Sequence, residues 1–356
     1  METILLDDNM QERDYTGVSK FHAAGYFGER VVAASGEYWA LEAYNPGGQV
    51  LDPLGIGTDS DTHAINTAAT FFQVAPKAKL YMLPSNKGVF RGDGTYTSDF
   101  LEKSAALIEK YNVTNMFVSK SASRHTAFFR DLSQWLRGHG DFKYYFAAGN
   151  YDTEKYNEMI EIDEITGVAA YHINDDGEAI RAGYSSESEY VDFAAPSSIY
   201  LNIHAKSPKD SKGLPKTGTS FATPWLCGMA VLVDDYFIDK TGKPLSREAM
   251  LRFFKDYSYD IYAEGFDNKT GYGAVRLPDP AEIDIAKYAD CSPLDKPDKP
   301  VNPPDISEDW AKADIEWAVQ NGILFGDGNG NYQLDHACSR REMVAFLHRL
   351  YKLVKN

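Results

Sequence analysis

Apolar positions in this chain gather into short runs separated by polar or helix-patterned stretches. Runs ending in small residues or prolines predict buried strands at Arg30-Val31-Val32-Ala33-Ala34-Ser35-Gly36, Leu80-Tyr81-Met82-Leu83-Pro84, Asn115 to Ser119, Tyr144 to Asn150, Gly167 to Tyr171 and Tyr190 to Pro196. Between them, apolar residues recur at helical spacing. They predict helices from Thr62 through Phe72, Asp99 to Tyr111, Ala127 to Leu136 and Ser246 to Tyr257, the last with Ser246 as N-cap. The first thirty residues are polar and mixed, and residues 85–98 predict a surface loop. Strands alternating with helices imply an α/β fold with a mostly parallel sheet.

The longest apolar run, Trp225 to Val233, follows a turn of small residues, Lys216-Thr217-Gly218-Thr219-Ser220-Phe221-Ala222-Thr223-Pro224. Proline fits the first turn of a helix, where its missing N–H costs nothing, so Ser220 is expected at a helix N-terminus. Free N–H groups and the helix dipole favour developing negative charge there, which suits a nucleophile. The same residues also make an ordinary Ser/Thr cap on a buried helix.

The pattern changes after residue 280. Pro293-Leu294-Asp295-Lys296-Pro297-Asp298-Lys299-Pro300 cannot bury a core, so residues 281–304 are expected to be an extended linker. Two short helices are expected beyond it, around Trp310 to Val319 and from Ser339 through Leu353. The expected organisation is therefore a main domain over 1–280, the linker, and a small all-α unit over 305–356.

Composition narrows the picture. The 356 residues are 43% hydrophobic and 25% charged, enough for a sizeable core. A net charge of −16 argues against nucleic acid as a partner. Cys227, Cys291 and Cys338 are too few and too scattered for a disulfide framework or a metal site, and Cys227 reads as a small buried hydrophobe. Met1-Glu2-Thr3 leading to Asp7-Asp8 lacks the basic start of a secretory leader. No apolar stretch is expected to span a bilayer.

Several motifs together resemble the subtilisin-like serine peptidases (subtilases). Gly218-Thr219-Ser220-Phe221-Ala222-Thr223-Pro224 resembles their nucleophile motif, and Tyr145 to Asn150 the strand and turn presenting the oxyanion-hole asparagine. Val74 to Tyr81 resembles the segment after the catalytic-histidine helix, Ser185 to Pro196 the segment before the nucleophile, and Gly271 to Val275 the C-terminal signature. The resemblance covers about residues 15–280. It implies Ser220 as nucleophile and Asn150 as oxyanion donor, and leaves room for a structural calcium ion; no other cofactor is expected.

The remaining family positions depart from the pattern. Ala34 stands where the family has its catalytic aspartate, and an alanine cannot hold an imidazolium. Asp59-Ser60-Asp61-Thr62-His63-Ala64 is similar to the histidine helix start, but Ser60 occupies the place of the base. His63 matches the second histidine of that motif, about 4.5 Å further along a helix. Ser60 and Asp61 read as N-cap and first-turn residues. Glu37, three residues past Ala34, is expected to be a poor substitute acid. The segment after the strand ending at Ser119, Lys120 to His125, lacks the glycines that line the family's substrate groove.

The C-terminal stretch resembles one S-layer homology (SLH) repeat. Ser339-Arg340-Arg341-Glu342 stands in its Thr-Arg-Ala-Glu place, and Trp310 opens its first helix. The resemblance implies binding of secondary cell-wall polymers of Gram-positive bacteria, with Arg340 touching the glycan. Asp327, Asn329 and Asn331 have calcium-loop spacing but lack the glycine and glutamate of such a loop, so a turn is expected. Such repeats pack in threes, so a homotrimer pooling its repeats is an expectation.

Two functions follow. In one, the chain is a pseudoprotease serving as a binding or structural protein, its tail holding cell-wall polysaccharide or other surface or virion proteins. It would then sit on a cell surface or on the virion of a phage of a Gram-positive host, cytoplasmic before release. In the other, it is a working serine endopeptidase in which Ser220 acts with His63 and either Asp59 or Asp61.

Overall fold

The computed structural model describes residues 5–52, 55, 61–82, 106, 108–119, 138, 142–152, 155–201, 215–289, 317–318, 347 and 350–351. The chain forms two compact units, Met1–Asp295 and Lys296–Asn356. Of the second, only Trp317, Ala318, Leu347, Leu350 and Tyr351 are described. The expected SLH-like residues Trp310, Arg340, Arg341 and Glu342 lie outside the described residues, as do Ser60, Lys120 to His125 and the helix expected at Ala127 to Leu136.

Ten described strands form one sheet. They are β1 (Val32–Ser35), β2 (Val50–Leu51), β3 (Lys79–Met82), β4 (Val113–Val118), β5 (Lys143–Ala147), β6 (Ile165–Ile173), β7 (Ala179–Arg181), β8 (Val191–Pro196), β9 (Ser258–Tyr259) and β10 (Ala274–Val275). Their order is β2-β3-β1-β4-β5-β6-β8-β10-β9, with β7 paired to β6. Every pairing is parallel except β6 with β7 and β9 with β10. The mostly parallel α/β architecture is the one expected. Strands such as β4, β5 and β8 are buried along their whole length, as parallel strands covered on both faces must be.

The described α-helices are α1 (Met10–Tyr15), α2 (Val18–Ala23), α3 (Thr62–Val74), α4 (Thr219–Thr241), α5 (Arg247–Asp256) and α6 (Ala286–Ala289). Helices α1 and α2 lie in the stretch read only as polar and mixed. Their pattern is masked because Glu12 and Arg13 are buried although charged. Ser246 caps α5 as expected, accepting from Ala249 N–H.

Helix α4 is the central element. Residues Phe221 to Phe237 are all buried, so it is apolar all round rather than striped. By length and composition it could cross a membrane, contrary to the expectation that no stretch could. Its most apolar 18-residue window is nevertheless 94% buried within the unit, which makes it a core helix. It packs closely on α3. At Gly228 a β-carbon would stand 2.7 Å from Val74 Cβ, so only glycine allows that approach. Cys227 is buried here and its thiol is pushed well up by burial. Pro224 corrects a second expectation: α4 starts at Thr219, so the proline lies in the second turn and the Ser220 carbonyl loses its helical donor.

One buried ion pair ties α4 to the sheet. Lys143 Nζ of β5 stands 3.1 Å from Asp234 Oδ2 of α4, with side chains 2% and 0% exposed. Asn115 Nδ2 donates to the same oxygen at 2.7 Å, Leu245 N–H donates to Oδ1 at 3.1 Å, and Lys143 donates to Leu245 O at 2.7 Å. Burial still holds the Asp234 pKa above the ordinary carboxylate value.

Candidate active site

Strand order reverses direction at β1, which lies between β3 and β4. In such sheets the crevice beyond the strand carboxyl ends at the reversal is the usual ligand site. Ser35 and Gly36 close β1 there, and Gly36 N–H donates to Phe117 O at the end of β4. Ser119 follows β4, and Gly149-Asn150 follow β5.

The turn into α4 is fixed by this rim. Gly218, the N-cap, has φ 135°, a conformation open to glycine, and its N–H donates to the Tyr184 hydroxyl at 2.9 Å. Tyr184 Oη lies 2.7 Å from Ser197 Oγ. Asn150 Oδ1 accepts from both Thr219 N (2.8 Å) and Thr219 Oγ1 (3.0 Å). That double acceptance orients the exposed carboxamide and leaves its NH₂ on the opposite edge, with Nδ2 3.4 Å from where a Gly218 β-carbon would be. Asn150 and Ser220 are thus brought together at a helix N-terminus, an arrangement able to stabilise an oxyanion.

The Ser220 hydroxyl has a different partner from a base. Its Oγ donates to the backbone carbonyl of Ser119 at 3.0 Å. Ala34, at the end of β1, is fully buried and supplies no carboxylate.

His63 sits in the first turn of α3, next to a helix cap. Asp61, not Ser60, is the N-cap: its Oδ1 accepts from His63 N (2.9 Å) and Ala64 N (3.3 Å). The carboxylate behind the imidazole is Glu37, whose Oε2 stands 3.1 Å from His63 Nδ1, with Thr67 Oγ1 3.3 Å from the same oxygen. Glu37, expected to be a poor substitute acid, is thus the carboxylate seen against His63; Asp61 caps α3, and Asp59 lies outside the described residues. A glutamate past the turn carries its carboxyl further than an aspartate on the strand, and it reaches α3. Glu37 is fully buried and its Oε1 has no partner. The other side of His63 packs toward Phe221, with ring centroids 6.1 Å apart. A carboxylate inside an otherwise apolar stretch, Tyr38-Trp39 following it, was the one sequence signal for this pair. Thr219 and Tyr184 carried none.

The sequence profile of the Subtilase family matches residues 50–273. The chain belongs to the subtilase family. A probable subtilase-type serine protease of Deinococcus radiodurans is 28% identical over 145 residues, 37% of this chain and 19% of that one, so this chain spans about a fifth of its curated relative. Three solved protease structures share the fold of this subtilase at low identity. The prenylagaramide maturation protease PagA superposes with a TM-score of 0.57 at 17% identity, covering 75% of this chain and 97% of that one. A lanthipeptide protease gives 0.55 at 17%, covering 76% and 94%. Fervidolysin from Fervidobacterium pennivorans, a keratinolytic enzyme, gives 0.57 at 17%, covering 77% and 48%. Residues 304–344 match the S-layer homology domain profile. Among the described residues no group of His, Cys, Asp or Glu could hold a metal ion.

Proposed function

We propose that this chain is a surface-anchored subtilase-fold pseudoprotease. Its main unit binds peptide segments without cutting them, and its S-layer homology domain holds cell-wall glycan. The observation that carries the reading is the hydrogen bond from Ser220 Oγ to Ser119 O. A serine hydroxyl becomes a nucleophile only when a base takes its proton. Here the proton points to a backbone carbonyl, which cannot take it. Ala34 in place of the aspartate and Ser60 in place of the histidine support the same reading. Asn150 and Thr219 keep their places because they also satisfy the backbone at the start of α4. Anchorage on a phage particle and pooling of three tails belong to this reading as extensions of it.

One observation favours a second reading, a working peptidase. The Glu37–His63 pair has the acid-on-Nδ1 arrangement of a catalytic triad. The two readings part in one assay. The full chain is incubated with a mixture of unfolded peptides, and products are followed by mass spectrometry beside Ser220→Ala. A pseudoprotease leaves the peptides intact in both samples. Cleavage that disappears with Ser220→Ala, and again with His63→Ala, establishes the peptidase.

A further inference from the structure

Helix α1 carries two adjacent buried charged side chains that are unequally satisfied. Arg13, 6% exposed, donates through Nη2 to Leu6 O at 2.8 Å, and its Nη1 stands 3.4 Å from Gln73 Oε1. Glu12, 7% exposed, leaves Oε2 buried without a partner. On the facing strand β6, the Tyr171 hydroxyl is also buried and unpartnered. Tyr15, one turn along from Glu12, meets Tyr171 edge to face at 5.9 Å and has the Arg276 guanidinium over its own ring at 4.5 Å. The groups acting on this corner are therefore Arg13, Tyr15, Asp14 and Asp7 from the helix end, Tyr171 from β6, and Arg276 after β10.

A buried carboxylate oxygen with no donor is costly when ionised and tolerable when protonated. The rest of the helix is well anchored. Leu277 N–H donates to Thr16 O at 2.8 Å, Arg276 Nε donates to Tyr15 O at 3.1 Å, and Asn9 bonds Gln73 and Tyr200. One titrating group thus opposes an otherwise closed contact.

We infer that α1 is a pH-sensitive latch, closed on the sheet while Glu12 is protonated and loosened once Glu12 ionises. Burial pushes the Glu12 carboxyl up to about 7. Its folded value lies above its unfolded one, so the folded helix binds the proton more tightly. The closed state is fully favoured below about pH 4.5 and loses that advantage as pH rises through 7. His22, on α2, moves the other way: burial lowers it to about 4. Its Nε2 lies 2.8 Å from Val74 O, a contact α1 does not supply.

Hydrogen exchange of the full chain, corrected for intrinsic rates, tests this at pH 5.5 and 8.5. Amides of residues 10–15 should open about thirtyfold more at the higher pH, relative to the same ratio in Glu12→Gln. In Glu12→Gln the helix should stay protected at both values. Tyr171→Phe should keep the pH dependence. Equal protection of wild-type α1 at the two values, or the same pH dependence in Glu12→Gln, would overturn the latch.

Discussion

Replacing Lys143 with methionine is expected to destabilise the main unit by about 3–5 kcal/mol, because it leaves the Asp234 carboxylate buried without its cation. Neither partner reaches water, and Asn115 and Leu245 supply donors but no charge. The loss should appear as a lower urea midpoint with an unchanged slope. Lys143→Met combined with Asp234→Leu should recover most of it, since an apolar pair of similar volume removes the stranded charge along with its partner. A double variant as unstable as the single one would mean that the network, rather than the ion pair, holds α4 on the sheet.

The second large effect concerns rate. Ala34→Asp together with Ser60→His supplies the two groups that the family places at these positions. Losing the base of such a triad costs as much as losing all three members, on the order of 10⁶-fold in kcat. Ala34→Asp alone should therefore add nothing to hydrolysis of a peptide ester, and Ser60→His alone should fall well short of the double change. The double change should raise Ser220-dependent hydrolysis by about a thousandfold or more over wild type. The Asn150 carboxamide is already fixed against the start of α4 by its bond from Thr219 N–H. If wild type hydrolyses the ester as fast as the double variant, the serine was never without a base.

Those expectations draw on features that differ in how visible they are in sequence. The apolar run Trp225 to Val233 announced the central helix, because a helix buried on all sides has no polar face to disguise it. The strands before Ser119 and Asn150 were legible for the same reason. Ser220 at the head of α4 followed from the small-residue turn. Pro224 was misplaced by a turn because the helix begins at Thr219, which spacing alone does not fix. Helices α1 and α2 were invisible: burying Glu12 and Arg13 depends on Gln73, Leu6 and Tyr171, residues distant in sequence or outside the helix. The pairing of Glu37 with His63 spans 26 positions, and Lys143 with Asp234 still more. A local pattern gives a charge at such sites but not its partner. Only the packing of β1, α3, β5 and α4 brings those charges together.

The central claim is that the Ser220 hydroxyl is held by a backbone oxygen and is not activated. A fluorophosphonate probe reports activation directly, because it bonds covalently only to a serine whose proton is being removed. The full chain should label no faster than Ser220→Ala, within error, across pH 6 to 9. Rapid stoichiometric labelling that is lost in Ser220→Ala would contradict the account, and its loss in His63→Ala as well would assign the missing base to the Glu37–His63 pair.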